Sequence, residues 1–273
     1  MTTLQNMTIA FIGAGNMGQA LIEGCLQSGM LSKNIIVVEP DLSKHQALAD
    51  LGIHIFTEAV SDLKRADIVL FCVKPNQMKA TITEVNPFLN AQIVVSIAAG
   101  VLIDTIQSCL LQDLIVIRAM PNTPATIESG MTALYTNRTI DENVKNVLSA
   151  VFDAVGKTVW LSCEEKMNAV TAISGSGPAY FFYLMNAMIE GAKLFGFSQE
   201  TAQELVKQTA FGAASLASQS NISCEELQKR VMSKGGTTEA AIAVFESERL
   251  AQIVQEAMNA AFVRSQQMSQ EYK

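Results

Sequence analysis

The segment Ile9–Gly24 reads IAFIGAGNMGQALIEG and decides the fold of this chain. Its apolar start, Ile9–Ile12, predicts a short buried strand, and the residues after the glycines have the apolar spacing of a helix. Between them, Gly13, Gly15 and Gly18 form the pattern G-x-G-x-x-G, which in this context indicates a dinucleotide-binding turn. A plain glycine turn between a strand and a helix is the alternative interpretation.

Each glycine of this turn has its own physical reason. Gly13 permits the tight turn, Gly15 has no Cβ and lets a diphosphate approach the backbone, and Gly18 lets the helix pack closely on the strand. The N–H groups and the positive end of the new helix then favour a bound anion. We therefore predict a dinucleotide site at this turn.

The first half of the chain alternates apolar runs with helical patterns. The runs that predict further strands lie at residues 35–38, 53–56 (a strand or a loop), 68–73, 93–98, 115–119, 131–135 and 159–161. Helices are predicted at residues 42–51, 78–85, 102–110 and about 142–155, the last with a capping box of Thr139 and Glu142. Short apolar strands between helices predict an α/β fold: a doubly wound, Rossmann-type parallel sheet that binds ligands at its strands' carboxyl ends.

The pattern changes near Ser162, after which no convincing strand follows. Helices are predicted at residues 164–195 (broken near Gly175–Gly177), 198–219, 223–232 (capped by Ser223 and Glu226) and 238–267, and residues 265–273 are expected to fray. These helices are apolar over wide faces, so this half needs a partner to cover it. We predict a dinucleotide-binding Rossmann domain at residues 1–162 and an all-α substrate and dimerisation domain at residues 163–273.

Composition narrows the classes of function. Hydrophobic residues make up 49% of the 273 residues and charged residues 16%, which indicates a large core and a large subunit interface. The net charge of -7, without a basic cluster, argues against a nucleic-acid partner. Only His45 and His54 are histidines, so neither a histidine triad nor a metal site is expected. Five widely spaced cysteines without C-x-x-C favour free thiols in a reducing compartment.

One uncharged stretch, residues 168–189, is long enough to cross a membrane. Its hydroxyl, amide and glycine residues instead indicate a broken helix buried in protein. The start of the chain has neither a basic region nor a signal core. We therefore expect a cytoplasmic location and no membrane partner.

Glu39 ends the second predicted strand, at the position about 20 residues past the turn where an acid binds the adenosine ribose hydroxyls. A carboxylate there repels a 2′-phosphate and favours NADH. The alternative is a solvated loop acid before Pro40, and Lys44 is close enough in sequence to offset the charge. Further candidates follow other strands of the same sheet, where Lys74 is either a phosphate or ribose ligand or a surface lysine.

Two glycine-rich turns interrupt the helical half. Gly175–Gly177 breaks an apolar helix, and Ser233–Glu239, with sequence SKGGTTE, precedes a new one. The second turn offers N–H donors suited to a carboxylate. Spacing alone does not separate a binding role from a simple helix junction at either turn.

Several motifs in order along the chain agree with one family. They read FIGAGNMG from Phe11, VKPNQ from Val73, VVSIAAGV from Val94, IRAMPNTPA from Ile117, SGSGPAYFF from Ser174 and VMSKGGTTEAAIAVFE from Val231. Together they resemble the pyrroline-5-carboxylate reductases, the last enzymes of proline biosynthesis. The resemblance extends over nearly the whole length and is more specific than the glycine turn.

The resemblance implies hydride transfer from NADPH or NADH to the C=N carbon of a cyclic imine carboxylate, giving L-proline. It implies interlocked C-terminal helices in a dimer or a ring of dimers. The implied substrate residues are Glu164, Ser174, Ser233, Gly235, Gly236, Thr237 and Thr238, of which Thr238 hydrogen-bonds the imine nitrogen as the catalytic residue. The implied cofactor residues are Gly15, Asn16, Met17, Val73, Lys74, Pro75 and Ala99. The glycine turn and the strand ends add Gly13, Gly18, Glu39, Cys72 and Ala98 as further cofactor candidates.

The chain departs from the family pattern in three places. Lys234 stands where members often have proline, Glu39 stands where many have Ser, Thr or Arg, and a frequent asparagine is replaced around Phe56–Thr57. The last two leave the choice between NADPH and NADH open. Alternative functions are a related imine reductase, a β-hydroxyacid dehydrogenase using Lys166 or Lys193, and a dinucleotide-binding regulator without catalysis.

Overall fold

The computed structural model describes residues 4–272. The strands are β1 Ile9–Ile12, β2 Ile35–Val38, β3 His54–Phe56, β4 Ile68–Phe71, β5 Ile93–Ser96, β6 Val116–Met120, β7 Gly130–Tyr135 and β8 Gly156–Trp160. The α-helices are α1 Asn16–Gln27, α2 His45–Asp50, α3 Met78–Val85, α4 Ile103–Cys109, α5 Glu142–Asp153, α6 Lys166–Val170, α7 Gly177–Leu194, α8 Gln199–Gln219, α9 Cys224–Val231, α10 Thr237–Ser247 and α11 Leu250–Glu271.

The strands form one eight-stranded sheet in the order β3-β2-β1-β4-β5-β6-β7-β8. The first six follow the doubly wound order 3-2-1-4-5-6, in which the strand order reverses beside β1. All of these neighbours pair in parallel; Ile12, for example, lies opposite Val38 on one side and Phe71 on the other. The predicted Rossmann-type fold is confirmed, and the glycine turn follows β1 at the reversal point.

One pair departs from the predicted parallel sheet. β6 and β7 are antiparallel, with Arg118 opposite Tyr135. The connection between them spans only residues 121–129, whereas a parallel crossover needs a dozen or more residues and usually a helix. The chain therefore reverses direction at this point.

The core has two layers, one on each face of the sheet, because side chains alternate along a strand. Ile9 and Phe11 belong to one buried cluster, which includes residues of α1 and α5. Ala10 and Ile12 belong to the other, which includes residues of α3 and α4. Covering both faces explains why these strands are apolar throughout.

The described chain divides into two compact units, residues 1–176 with 261–273 and residues 177–260. The first contains the sheet, and the second contains α7–α10 and the start of α11. The domain boundary predicted from the sequence, between residues 162 and 163, stays a prediction.

The helical half begins with a break. A π-helical turn, Thr171–Gly175, joins α6 to α7, as the glycines predicted. On the single chain, α7 and the residues after it expose many large apolar side chains: Phe181, Phe182, Tyr183, Leu184, Met188, Leu194 and Phe195. The burial predicted for this stretch therefore does not occur within one chain. Among the described residues, no helix is long and apolar enough to cross a membrane.

Two predictions about the helices are wrong. The cap of α5 is Asp141, whose carboxylate accepts from the N–H of Asn143, rather than a Thr139–Glu142 box. The predicted helix at 238–267 is two helices, because Arg249 adopts a left-handed conformation with φ of 56°. At α9 half of the predicted capping box is present: Ser223 Oγ accepts from the N–H of Glu226, without a described return bond from the Ser223 N–H to the Glu226 side chain.

The predicted fraying of residues 265–273 is also wrong for the described part. α11 continues to Glu271, and Ser265 and Ser269 are buried. The Ser265 hydroxyl donates to Asn168 Oδ1 at 2.8 Å. These serine side chains are hydrogen-bonded within the fold. The glutamine-rich composition of residues 265–273, on which the predicted fraying was based, does not reveal such contacts.

Candidate active site

The glycine turn has the geometry that its sequence predicts. Gly13 adopts a left-handed conformation with φ of 95°, and its N–H donates to the Val38 carbonyl at 2.8 Å. A Cβ on Gly18 would lie 2.7 Å from the Gly13 carbonyl oxygen. The turn is therefore tied to β2 on one side and to the start of α1 on the other.

Gly15 differs from its two neighbours in the motif. A Cβ built on Gly15 meets no described heavy atom within 4 Å, so the fold itself does not require glycine there. Gly15 caps α1 without a side-chain hydrogen bond, and Gln19 makes the first intrahelical bond to its carbonyl. The N–H groups of Asn16, Met17 and Gly18 thus have no acceptor within the helix. Open space above unpaired helix N–H groups fits the diphosphate of a dinucleotide.

The other predicted cofactor residues lie around this turn. A Cβ on Gly13 would contact the Cys72 carbonyl oxygen at 3.1 Å and the Val73 side chain at 3.2 Å. Lys74 is exposed, and Pro75 begins a short 3₁₀-helix. Ala98 and Ala99 follow the neighbouring strand, β5. The structure thus brings this predicted set to the carboxyl edge of β1, β2, β4 and β5.

Glu39 is buried, with 5% of its surface exposed, so its interpretation as a solvated loop acid is wrong. Its Oε2 accepts from the N–H of Ala14 at 2.7 Å and from Lys44 Nζ at 3.1 Å. Its Oε1 accepts from the N–H of Asp41 at 2.9 Å. Burial raises the pKa of this carboxyl, but the hydrogen bonds from Asp41, Ala14 and Lys44 outweigh burial and lower it. The site therefore contains a fixed carboxylate.

Sequence reasoning missed a buried ion pair in the same unit. Arg118 on β6 is 6% exposed, and its Nη1 lies 2.9 Å from Glu164 Oε1. The same oxygen accepts from the N–H of Ile103, the first residue of α4, at 2.8 Å. Burial lowers the pKa of Arg118, and the hydrogen bond and charge of Glu164 oppose that shift. The signal was an arginine inside an apolar strand, which needs a partner when buried.

Glu164 therefore has a visible role that the resemblance did not imply. It ties the start of α4 to β6 and to the segment before α6. Its assignment to the substrate pocket stays a prediction.

Ser174 lies beside the end of β6. Its carbonyl accepts from Asn122 Nδ2 at 3.0 Å, and Asn122 Oδ1 accepts from the N–H of Met131 at 2.8 Å. A Cβ on Gly175 would lie 2.8 Å from the Met120 methyl. The glycine break thus permits a close approach to β6, and Asn122 is a second residue that sequence reasoning did not single out.

The other predicted substrate residues belong to the second unit. Gly235 adopts φ of 71°, and its N–H donates to Glu239 Oε2 at 2.6 Å. The N–H of Gly236 donates to the Ser233 carbonyl at 2.8 Å. Thr237 and Thr238 begin α10. This turn already holds a carboxylate on one of the amides that the resemblance assigns to the substrate.

Metal ligands are not grouped in the described chain. From residue 4 to residue 272, no three His, Cys, Asp or Glu side chains are placed to hold a metal ion. The carboxylates at the sheet edge are engaged with N–H groups and lysine instead.

Comparisons with known proteins decide the family. Residues 164–268 match the model for pyrroline-5-carboxylate reductase dimerisation, and residues 8–100 match the model for NADP oxidoreductase, coenzyme F420-dependent. The pyrroline-5-carboxylate reductase of Haemophilus influenzae is 38% identical over 97% of this chain and 98% of its own length. The chain belongs to the pyrroline-5-carboxylate reductase family. The predicted oxidoreductase class and nicotinamide cofactor are confirmed at the level of this family.

Two further relatives cover nearly the whole chain. The Pseudomonas aeruginosa pyrroline-5-carboxylate reductase is 40% identical over 96% of this chain and 97% of its own length. The solved pyrroline-5-carboxylate reductase of Coxiella burnetii has a TM-score of 0.92 at 36% identity, covering 96% of this chain and 98% of that one. The matched dimerisation region supports homo-oligomerisation through the helical half.

The ion pair predicts a large cost for removing its acid. Glu164→Ala leaves the buried Arg118 guanidinium without a counter-charge, and we expect it to lower the free energy of unfolding by roughly 3 kcal/mol. Urea denaturation followed by circular dichroism measures this change. Glu165→Ala, an exposed neighbour, is the control and should change stability by less than about 0.5 kcal/mol. Equal stability of both variants would contradict a structural role for the pair.

Proposed function

We propose that this chain reduces 1-pyrroline-5-carboxylate to L-proline with a nicotinamide dinucleotide. The observation that carries the proposal is the open approach at Gly15 above the start of α1, in a chain of this family. When bound there, the cofactor supplies the hydride. The chain's own residues bind, orient and exclude water.

In the proposed cofactor site, backbone N–H groups are the main hydrogen-bond donors. The N–H groups of Gly15, Asn16 and Met17 hold the diphosphate at the positive end of α1. Val73 and Pro75 on one neighbouring loop and Ala98–Ala99 on the next line the route from the diphosphate to the nicotinamide. Lys74 is placed to reach a phosphate or ribose.

The proposed substrate site includes the turn that precedes α10. The N–H of Gly235 donates to the Glu239 carboxylate at 2.6 Å, which supports the proposal that this turn selects carboxylates. We propose that the substrate carboxylate takes the place of Glu239, with the N–H group of Thr237 as a further donor, while the N–H of Gly236 stays on the Ser233 carbonyl at 2.8 Å and closes the turn. Ser233 is a proposed substrate contact of the same turn, and Glu164 and Ser174, which belong to the first unit, are proposed as substrate residues from the resemblance alone.

Proton chemistry places few demands on the protein. Hydride adds most easily to a C=N bond whose nitrogen is protonated, so an iminium substrate needs no strong acid at the moment of transfer. The chain has only two histidines, which fits a site without a histidine acid. We propose that the Thr238 hydroxyl orients the ring nitrogen or relays its proton.

The hydroxyacid dehydrogenase alternative is weaker. It needs a lysine in the helical half, and Lys193 Nζ lies 2.8 Å from Glu190 on the exposed surface of α7. Lys166 Nζ donates to Ser162 at 3.0 Å. Both lysines are thus bonded to neighbouring side chains, which gives no support to a role for either as a catalytic acid or base.

Two finer assignments belong to the same proposal. The exposed apolar side chains of α7 support a dimer, or a ring of dimers, in which these helices cover one another.

The free thiols of the described cysteines fit a reducing compartment, so we assign the chain to the cytoplasm.

Replacing the proposed catalytic hydroxyl tests the reaction. Thr238→Ala removes a group that touches the reacting nitrogen, and we expect at least about a hundredfold loss of kcat. The measurement is oxidation of NADH and NADPH at 340 nm with pyrroline-5-carboxylate, with proline quantified as product. Thr209→Ala on α8, an exposed hydroxyl bonded to its own helix, is the control and should retain wild-type rates. Full turnover by Thr238→Ala would refute this role.

The oligomer has its own test. Light scattering after size exclusion should give the mass of at least two chains at micromolar concentration. Tyr183 is 81% exposed on the single chain, so Tyr183→Glu places a charge in the proposed contact and should shift the mass towards one chain. Glu142→Ala on α5, an exposed acid outside the helical half, is the control and should retain the wild-type mass. A wild-type chain that is monomeric would contradict the assembly.

A further inference from the structure

We infer that the Glu39 carboxylate makes this chain select NADH over NADPH, with Lys44 as its partial counter-charge. This inference deepens the proposed function, because it concerns the adenosine ribose at the same cofactor site. It rests on how firmly the carboxylate is held, on its remaining hydrogen-bonding capacity and on the charges beside it.

The carboxylate of Glu39 is held from several sides. Ala14, within the glycine turn, donates to Oε2, and Asp41 donates to Oε1. The backbone is fixed as well, since the N–H of Glu39 donates to the Phe56 carbonyl at 2.8 Å and its carbonyl lies 2.6 Å from His45 Nε2. Rotating this side chain away from the ribose position would leave the N–H of Ala14 without its acceptor.

The two oxygens differ in their remaining capacity. A carboxylate oxygen accepts two hydrogen bonds readily. Oε2 accepts from both Ala14 and Lys44, whereas Oε1 accepts only from Asp41 among the described residues. A ribose hydroxyl has a hydrogen to donate to Oε1, and a 2′-phosphate ester has none. The group is therefore suited to a free 2′-hydroxyl.

The surrounding charge opposes a phosphate. Lys44 Nζ lies 3.1 Å from Glu39 and 3.7 Å from Asp41, so two carboxylates already share its charge. His45 directs Nε2 to the Glu39 carbonyl. A 2′-phosphate would meet two acids, Glu39 and Asp41, and one lysine that is already paired with both of them, and turning Lys44 to the phosphate would uncover Glu39.

Binding without substrate gives the first test. Fluorescence titration of the wild-type chain with NADH and with NADPH should give a dissociation constant at least about tenfold lower for NADH, or about 1.4 kcal/mol. The ratio of kcat/KM values for the two cofactors should agree with it. Tighter binding of NADPH than of NADH would overturn the inference.

Two variants test whether Glu39 and its counter-charge Lys44 set the selectivity between NADH and NADPH. Glu39→Ser should remove at least about a tenfold preference, by tightening NADPH and weakening NADH. Lys44→Ala removes the counter-charge and should weaken NADPH more than NADH, which gives a second readout if the first variant does not fold. Glu142→Gln, an exposed acid on α5, is the control and should retain the wild-type ratio. An unchanged ratio in Lys44→Ala, or in a folded Glu39→Ser, would refute the assignment.

These outcomes are separate from the reaction itself. A chain that binds NADH selectively but does not oxidise it with pyrroline-5-carboxylate would refute the proposed function and leave the selectivity intact. A chain that reduces this imine faster with NADPH would support the proposed function and refute the selectivity for NADH.

Discussion

The start of α1 lies so close to the glycine turn that a side chain on Gly18 would reach the Gly13 carbonyl oxygen, at 2.7 Å. This contact fixes where the first helix leaves the sheet and which N–H groups point past Gly15. The turn is also tied to β2, through the hydrogen bond from Gly13 to Val38 and through the carboxylate of Glu39 on the N–H of Ala14. The cofactor site therefore depends on packing that the fold completes before any ligand binds.

Carboxylates recur where backbone N–H groups need an acceptor. Glu39 accepts from the turn before α1, Glu164 from the first residue of α4, and Glu239 from the turn before α10. Each position is near the positive end of a helix, where a negative charge is favourable. Glu164 is paired with a buried arginine, which suits a permanent tie, whereas Glu239 is exposed and suits exchange with a substrate carboxylate.

Local patterns predicted the parts of the structure that depend on neighbours in sequence. The strand at Ile9–Ile12 and the glycine turn followed from an apolar run and from residues without side chains. Contacts between distant positions were not readable: the partner of Arg118 is 46 residues away, and the Ser265 hydroxyl meets Asn168. The break at Arg249 was missed because a left-handed arginine has no local signal comparable to glycine.

We propose that position 15 is glycine because a bound dinucleotide, and not the packing of the fold, needs the space beside its Cα. Gly15 has φ of -70°, and no described atom lies within 4 Å of an added Cβ, so Gly15→Ala can be accommodated. Titration with NADH, beside thermal unfolding, tests the claim directly. We predict a folded variant, destabilised by at most about 1 kcal/mol, whose affinity for NADH falls at least about tenfold. Wild-type affinity for NADH in a folded Gly15→Ala chain would contradict this interpretation.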